Sequence, residues 1–120
     1  MAAHNELGQW GEDLAVAYLQ EKGYQLIERD WKSGRRDIDI IAKDETGTIV
    51  FVEVKTRRSR VFGEPEEAID YRKMQSLQQA INHYIKFRHI NNDVRFDIIS
   101  IVGTIGSEAE INHIKDVALI

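Results

Sequence analysis

The chain lacks cysteine altogether, and its 120 residues include a single proline. Without cysteine, disulfides, thiolate metal sites and cysteine nucleophiles are all excluded. The sequence also contains no run of about 18 apolar residues, so no membrane-spanning helix is predicted. Its N-terminus lacks the apolar stretch of a signal peptide, which leaves a cytoplasmic location and no membrane partner as the expectation.

The length and composition favour one globular domain over residues 1–120. Hydrophobic residues make up 42% of the chain and charged residues 30%, a normal balance for a globular protein. The net charge of −4 argues mildly against a general nucleic-acid binder, although local charge matters more than the sum. Basic residues do cluster locally, and they form either a solvated face or a surface for phosphates: Arg35, Arg36, Lys55, Arg57, Arg58 and Arg60.

The most informative stretch is Ile49–Arg58, an apolar run that ends in alternating charges. Its apolar part predicts a strand that is covered on both faces. Glu53 and Lys55 are two residues apart, so their side chains leave the strand on one face, whereas Val54 and its alternating neighbours take the other. A carboxylate and an amine at the end of a buried strand are costly unless they are paired or bind a ligand.

The preceding strand supplies a partner for this glutamate. A three-residue loop at Glu45–Gly47, with its glycine in the left-handed conformation, joins strands predicted at 36–44 and 48–57. This loop sets a register in which Asp39 lies opposite Glu53, with Cβ atoms roughly 4.5–5.5 Å apart.

Two carboxylates at that spacing need a cation or a shared proton. Asp39 and Glu53 offer only oxygen ligands, which suit Mg²⁺, Mn²⁺ or Ca²⁺ better than zinc. The alternative is an acidic pair at the end of the sheet with Lys55 as its counter-ion. The pairing alone favours neither interpretation.

A helix is predicted from Asn5 to Lys22, with Asn5 as its N-cap and Gly23 at its end. Glu12 lies on one face of this helix among small and apolar residues, four residues after Gly8. It is either a functional group or a residue at the edge of the apolar stripe whose carboxylate reaches water.

A second helix is predicted over Glu66–Arg88, with a break near Asp70. Lys73 falls on its core stripe near the start, where it either reaches the carboxylates or extends its stem across the rim of the core. His83 lies off that stripe, and His113 has no partner at metal-ligand spacing, so neither is predicted to be a ligand.

The predicted order is therefore one helix, three strands, one helix and one or two further strands. The strands are expected at 24–31, 36–44, 48–57 and 95–102, with a further one starting at Glu110. A strand covered on both faces requires a central mixed sheet with a helix on each side, which is an α/β fold.

Several short motifs cover most of the chain: Gly8–Glu12, Asp39–Ala42, Phe51–Arg57, Phe62-Gly63 and Arg95–Asp97. In this order and at these spacings, they resemble the YraN family of small bacterial proteins. They also resemble the wider group of restriction-endonuclease-like nucleases, whose signature is a distant Asp followed by Glu or Asp, any residue, and Lys. The chain departs from the family at Arg36-Asp37, where most members have Gly-Glu.

The resemblance implies the restriction-endonuclease-like αβββαβ core, which is also seen in archaeal Holliday junction resolvases. It implies that Asp39, Glu53 and the backbone carbonyl of Val54 hold Mg²⁺ or Mn²⁺. Glu12 would complete the acidic site from the first helix, and Lys55 would position or activate the attacking water. Such a metal acidifies water and binds a phosphoryl oxygen, which is what phosphodiester hydrolysis requires.

The function expected from this resemblance is metal-dependent hydrolysis of DNA phosphodiester bonds in recombination or repair. Two alternatives stay open: a non-catalytic nucleic-acid-binding or repair accessory protein, which the negative net charge favours, and a small metal-binding interaction domain. By analogy with resolvases, which cut two strands, a homodimer is expected. Contacts to backbone phosphates are expected from the basic residues Arg35, Arg36, Arg57, Arg58, Arg60 and Lys73.

Overall fold

A computed structural model describes residues 2–119 of the chain, with side chains from residue 6 onward. Its elements follow the predicted αβββαβ order, which is thereby confirmed. In chain order they are α1 (Ala2–Glu21), β1 (Gln25–Ser33), β2 (Arg36–Lys43), β3 (Ile49–Arg57), a short 3-10 helix (Pro65–Ala68), α2 (Tyr71–Phe87), β4 (Val94–Val102) and β5 (Glu110–Ile114).

The strands form one mixed sheet in the order β1-β2-β3-β4-β5. Strands β3 and β4 are parallel, and the other neighbouring pairs are antiparallel. The parallel pair follows from the helical connection between the two strands, because parallel neighbours need a crossover whereas antiparallel ones can be joined by a tight turn.

The two helices cover opposite faces of the sheet. Ile49 and Phe51 of β3 pack in a core cluster with Leu77 of α2, whereas Val50 and Val52 pack in a second cluster with Leu19 of α1. The alternation along β3 therefore buries it on both sides, as its apolar run predicts. Glu53 and Lys55 continue the α2 side beyond the apolar core.

The β2–β3 hairpin has the predicted turn and register. The N–H of Asp44 donates to the carbonyl of Thr48 at 3.0 Å, and Gly47 is left-handed with φ 91°. Ile41 pairs with Phe51, so the turn aligns the two strands that carry the acids.

Both helix starts differ from the predicted ones. The backbone is already helical at Ala2, so Asn5 is inside α1 and is not its N-cap, while the predicted end is confirmed by a left-handed Gly23 with φ 92°. The second helix begins after Asp70, whose side chain accepts a hydrogen bond from the N–H of Lys73 at 2.9 Å. This N-cap explains the break predicted near Asp70, and it fixes Lys73 in the first turn of α2.

Candidate functional site

The candidate site lies where β2 and β3 stop pairing. Their ladder runs from Lys43–Ile49 to Ile40–Val52. Beyond that point, Oδ2 of Asp39 accepts a hydrogen bond from the N–H of Val54 at 2.9 Å. The carboxylate of Asp39 is thus anchored to the backbone at the opening between the strands.

Three acids converge around this position. Glu12, Asp30 and Asp39 each offer a carboxylate oxygen, and these oxygens all lie within 4.8 Å of one another. The approach of Glu12 from α1 to Asp39 agrees with the sequence-based expectation. Asp30 was not among the predicted site residues.

Irregular backbone in β1 brings Asp30 to the cluster. The β1–β2 register shifts between Leu26 and Glu28, and Asp30 has a left-handed backbone with φ 49°. Asp tolerates that conformation better than most residues because its short side chain can bond locally. The only sequence signal was the run of polar residues Glu28–Asp30 inside a predicted strand.

Glu12 is held by a cation that sequence reasoning also missed. Arg29 Nε donates to Glu12 Oε1 at 3.0 Å, and Arg29 Nη2 contacts Asp13 at 2.7 Å. Burial raises the pKa of Glu12 to about 7, although the hydrogen bond from Arg29 pulls this pKa down. Burial thus outweighs the nearby cation and disfavours the charged form of this carboxyl.

Glu53 lies beside Asp39, outside the three-acid cluster. Its side chain is almost fully buried, and its Oε2 is 3.6 Å from the amines of both Lys55 and Lys73. Burial, and then the charge of Asp39, raise the pKa of Glu53 to about 8. The pKa of Asp39 is also raised, chiefly by burial. The acids therefore form two overlapping groups that share Asp39.

Lys73 is tied to acids instead of facing open solvent. Besides Glu53, its amine lies 3.7 Å from Asp37. Burial lowers the pKa of Lys73, but the charge of Glu53 and the neighbouring aspartates outweighs it and raises this pKa overall. Lys73 thus reaches the carboxylates, which was one of the two possibilities left open by the sequence.

An open cleft of about 750 Å³ gives access to part of this group. Glu12 and Asp39 lie in its wall with Val54 and Lys55. Arg57 and Arg58 are exposed and line the same cleft, so two of the residues predicted to bind phosphates share the cleft with Glu12 and Asp39.

The other predicted basic residues lie elsewhere. Arg35 and Arg36 line a separate groove along α2 together with Arg72. Arg60 is engaged by two carboxylates, at 2.9 Å from Glu64 and 2.5 Å from Glu110. The structure therefore does not bring the predicted cations into one surface.

The donors present fit a hard divalent cation. Every side-chain ligand atom in the two groups is a carboxylate oxygen, the type that Mg²⁺ and Mn²⁺ prefer. Among the described residues, Oε1 of Glu53 is buried and lacks a hydrogen-bond partner. A cation beside Asp39 would satisfy this oxygen and relieve the repulsion between the two carboxylates.

A second polar cluster was missed from the sequence and lies in the first half of β4. Asp97 is fully buried. Its carboxylate accepts hydrogen bonds from the guanidinium of Arg95 at 2.9 Å and from the N–H of Asp116 at 3.0 Å, and it lies 2.7 Å from Nε2 of His113. Burial acts against its charge, but the bonds from His113 and Arg95 prevail and lower the pKa of Asp97 to about 2. Arg95 also reaches Tyr24, directly before β1, at 2.8 Å, so this cluster joins the α1–β1 connection to β4 and β5.

The fold and the site together define a small α/β domain that carries converging acids and flanking lysines at the end of a central strand. The sequence profile described as "Uncharacterised protein family UPF0102" matches residues 11–101. The chain belongs to this family, which is the YraN family indicated by its motifs.

Relatives of similar length support this membership. A UPF0102 protein of Bacteroides thetaiotaomicron is 47% identical over 116 residues, covering 97% of this chain and 94% of that protein. A UPF0102 protein of Flavobacterium psychrophilum is 43% identical over 116 residues, covering 97% of this chain and 96% of its own.

Two solved structures resemble the chain more distantly. One is described as a repair endonuclease from Pyrococcus abyssi, with a TM-score of 0.48 and 18% identity, covering 78% of this chain. The other is an EndoMS–double-stranded DNA complex, with a TM-score of 0.47 and 18% identity over the same share of this chain. This chain spans 38% and 36% of the lengths of those two chains, respectively.

Within residues 2–119, no helix combines the length and the apolar character that crossing a membrane requires.

Proposed function

We propose that the protein is a metal-dependent nuclease that hydrolyses DNA phosphodiester bonds. The observation that carries the proposal is the buried Glu53, which lies beside Asp39 and has one carboxylate oxygen without a partner among the described residues. A buried carboxylate oxygen left without a partner is costly unless the site binds something. The basic residues at the adjoining cleft suggest that the ligand arrives with a phosphate group.

Asp39, Glu53, Glu12 and the carbonyl of Val54 are the ligands that we assign to Mg²⁺ or Mn²⁺, and the geometry adds Asp30 as a further acid. When bound, such a cation supplies Lewis-acid chemistry, since it polarises a phosphoryl oxygen and lowers the pKa of water.

The remaining roles belong to side chains around the acids. Lys55 lies in the cleft wall 3.6 Å from Glu53, where its ammonium can hold the attacking water or stabilise charge that develops on the phosphate. Arg57 and Arg58 would bind backbone phosphates, which position a strand without reading its sequence. Such phosphate contacts carry no sequence information themselves.

A direct test is cleavage of labelled duplex, single-stranded, flapped and four-way DNA by purified protein with Mg²⁺ or Mn²⁺. We expect at least one substrate to be cut, with no cleavage in EDTA. Asp39→Asn should abolish cleavage, whereas Asp93→Asn, which changes an exposed aspartate just before β4 and outside the site, should not change it. Failure of the wild-type protein to cut any substrate would refute the nuclease proposal.

The second candidate is an accessory protein that binds DNA without cutting it. It is favoured by the two lysines at 3.6 Å from Glu53, because they neutralise this carboxylate without a metal. DNA binding that is unaffected by Mn²⁺, together with no cleavage in the same screen, would select this alternative.

A further inference from the structure

The segment that follows β3 exposes two apolar side chains at the tip of a tight turn. Val61 is 77% exposed, and Phe62 is 99% exposed, the highest value among the large hydrophobic residues of the described chain. Phe buries a large area wherever it finds a partner, so an aromatic ring left wholly in water stands out. The turn comprises residues 60–63, and we call Val61 and Phe62 its tip.

The turn is fixed by several contacts, so the exposure of its tip is not the result of a loose loop. The N–H of Gly63 donates to the carbonyl of Arg60 at 2.9 Å, which closes the turn. Gly63 has φ 102°, a conformation that favours glycine. The guanidinium of Arg60 binds Glu64 at 2.9 Å and Glu110 of β5 at 2.5 Å, which ties the turn to the edge of the sheet.

The residues after the turn hold it from the other side. The N–H of Glu64 donates to Glu67 at 2.7 Å, and the buried Pro65 begins the short 3-10 helix. A Cβ placed on Gly63 would collide with the carboxylate of Glu67. These bonds hold the backbone of the turn that carries the tip, and a pre-formed turn lowers the ordering cost of a contact.

The tip is close along the chain to residues that line the cleft. Arg57 and Arg58 line the cleft, and Phe62 is only four residues beyond Arg58, a span of at most about 14 Å. A nucleotide strand held at its phosphates by these arginines would therefore pass within reach of the Phe62 ring. A ring beside phosphate-binding cations is the combination by which proteins bind single-stranded nucleic acid.

We propose that Phe62 stacks on an unpaired base of the DNA strand whose phosphates Arg57 and Arg58 bind, so that single-stranded or branched DNA is preferred over continuous duplex. The inference rests on the proposed function because it assumes that DNA enters this cleft. Bases inside a continuous duplex are already stacked on each other, and exposing one costs a few kcal/mol. An unpaired base presents its face at no such cost.

The composition of the tip favours a base over a protein surface. A protein docking site needs a contiguous apolar patch, whereas Val61 and Phe62 are only two residues, preceded by Ser59 and Arg60. A second copy of this chain is the competing occupant, and the experiment below distinguishes it.

Binding can be measured in EDTA, where metal-dependent cleavage does not occur. The probes are fluorescein-labelled single-stranded, flapped and duplex oligonucleotides, with 2-aminopurine at an unpaired position of the flap. We expect wild-type protein to bind the unpaired probes more tightly than the duplex and to quench 2-aminopurine. Phe62→Ala should weaken binding of the unpaired probes by about 5- to 100-fold and remove the quenching, without changing duplex binding.

Two variants control this comparison. Phe62→Trp keeps an aromatic face and should retain binding and quenching. Ile105→Ala removes another exposed apolar side chain, 55% exposed on the β4–β5 turn, and should change neither. Because Phe62 has almost no buried surface, the variants should unfold at the wild-type midpoint, which circular dichroism verifies.

The outcomes separate this inference from the proposed function. If wild-type protein cuts DNA but Phe62→Ala binds every probe as wild type does, the stacking proposal is overturned and the nuclease proposal stands. If Phe62→Ala selectively loses the unpaired probes while no metal supports cleavage, stacking is supported and the nuclease proposal fails. Sedimentation that shows a wild-type dimer and a Phe62→Ala monomer, with equal DNA binding, would assign the tip to self-association and overturn the inference.

Discussion

The carboxylate of Asp39 has two partners that respond differently to substitution: the N–H of Val54, at 2.9 Å, and the neighbouring carboxyl of Glu53. Asn at position 39 keeps an oxygen for the Val54 N–H but removes the charge that raises the pKa of Glu53. The structural bond and the electrostatic role of Asp39 can therefore be tested separately.

We expect Asp39→Asn to raise the unfolding midpoint in metal-free buffer by a few degrees, since about 1 kcal/mol corresponds to roughly 4 °C in a domain of this size. Its Mn²⁺ affinity should fall at least about tenfold, the effect usual for losing even an outer partner of a metal site. Thermal unfolding in EDTA and calorimetric titration with Mn²⁺ measure the two effects. Equal Mn²⁺ affinity in the two proteins would contradict the metal assignment.

Much of the fold was predictable because local signals and burial agree along β2 and β3. The glycine of the Glu45–Gly47 loop determined the hairpin register, and the unbroken apolar run of β3 required a helix on each face. The convergence of Glu12 on Asp39 was expected only from the family resemblance, because helix geometry alone left its carboxylate either in the site or in water.

The rest of the site depends on features that no periodic pattern reveals. Asp30 reaches the acids only because β1 is irregular and its own backbone is left-handed. Asp97 bonds His113 and Asp116, which lie 16 and 19 positions away, and such pairings are set by tertiary packing. The 3.6 Å separation of Lys73 from Glu53 depends on how α2 packs on the sheet, and a helical stripe cannot define that distance.

Two glycines of α1 should respond oppositely to alanine. A Cβ on Gly11 would collide with Oγ1 of Thr56 and lie 3.0 Å from two of its carbon atoms, whereas a Cβ on Gly8 meets nothing within 4 Å. We expect Gly11→Ala to destabilise the protein by about 1–3 kcal/mol, because α1 must move away from β3. Gly8→Ala should instead be neutral or stabilise by up to about 1 kcal/mol through helix propensity. Urea unfolding of both variants checks the contrast, and equal midpoints would show that the α1–β3 contact is looser than described.

The Asp97 cluster should be a major source of stability. Asp97→Asn removes the buried charge that Arg95 and His113 bond, while Arg95 keeps Asp44 at 3.2 Å, so we expect a loss of about 1–3 kcal/mol from the poorly satisfied buried groups. Asp93→Asn, at an exposed position just before the same strand, should stay within about 0.5 kcal/mol of wild type. Urea unfolding at pH 7 measures both, and a loss below about 1 kcal/mol for Asp97→Asn would show that the cluster contributes little.

The raised pKa values of Glu12 and Glu53 predict an unusual dependence of stability on pH in EDTA. Glu12 and Glu53 have an ordinary pKa of 4.5, raised in the folded state to about 7 and about 8. The folded state therefore binds their protons more tightly than the unfolded state, and stability falls as pH rises from about 4.5 to 8. Asp97 acts in the opposite direction, because its lowered pKa contributes stability that is lost only as pH falls from 3.8 towards about 2.

Metal-free protein should thus be most stable near pH 4–5, below the pH at which most proteins reach their maximum. Urea unfolding across pH 3–9 measures the curve, and Glu53→Gln should flatten its alkaline side because this variant has no proton to lose. If wild-type protein in EDTA were most stable at pH 7 or above, the interpretation that burial and repulsion raise the pKa of these acids would be wrong.

Lys55 and Lys73 offer a matched pair for separating catalysis from charge balance. Each amine lies 3.6 Å from Oε2 of Glu53, so replacing either one by Met removes a similar favourable charge from that carboxylate. Their surroundings differ, because Lys55 lines the cleft beside Asp39 whereas Lys73 also contacts Asp37 and does not line that cleft. A purely structural role predicts the same result for both variants.

If Lys55 acts on the water or on the charge of the phosphate, Lys55→Met should lose about 10²–10³ in cleavage rate, the usual effect of removing one such electrostatic group. Lys73→Met should lose far less, although both variants should be destabilised in EDTA and should have a higher pKa at Glu53. The comparison requires single-turnover cleavage at saturating Mn²⁺, at a temperature where both variants are folded, with Mn²⁺ affinity measured separately.

Equal losses of cleavage rate in the two variants would show that Lys55 is only a counter-ion of Glu53. Cleavage by Lys55→Met at the wild-type rate would remove Lys55 from the mechanism. A loss confined to Lys55→Met, with Mn²⁺ affinity retained, would place the reacting phosphate on the cleft side of β3, since only there does a lysine approach both Glu53 and the open cleft.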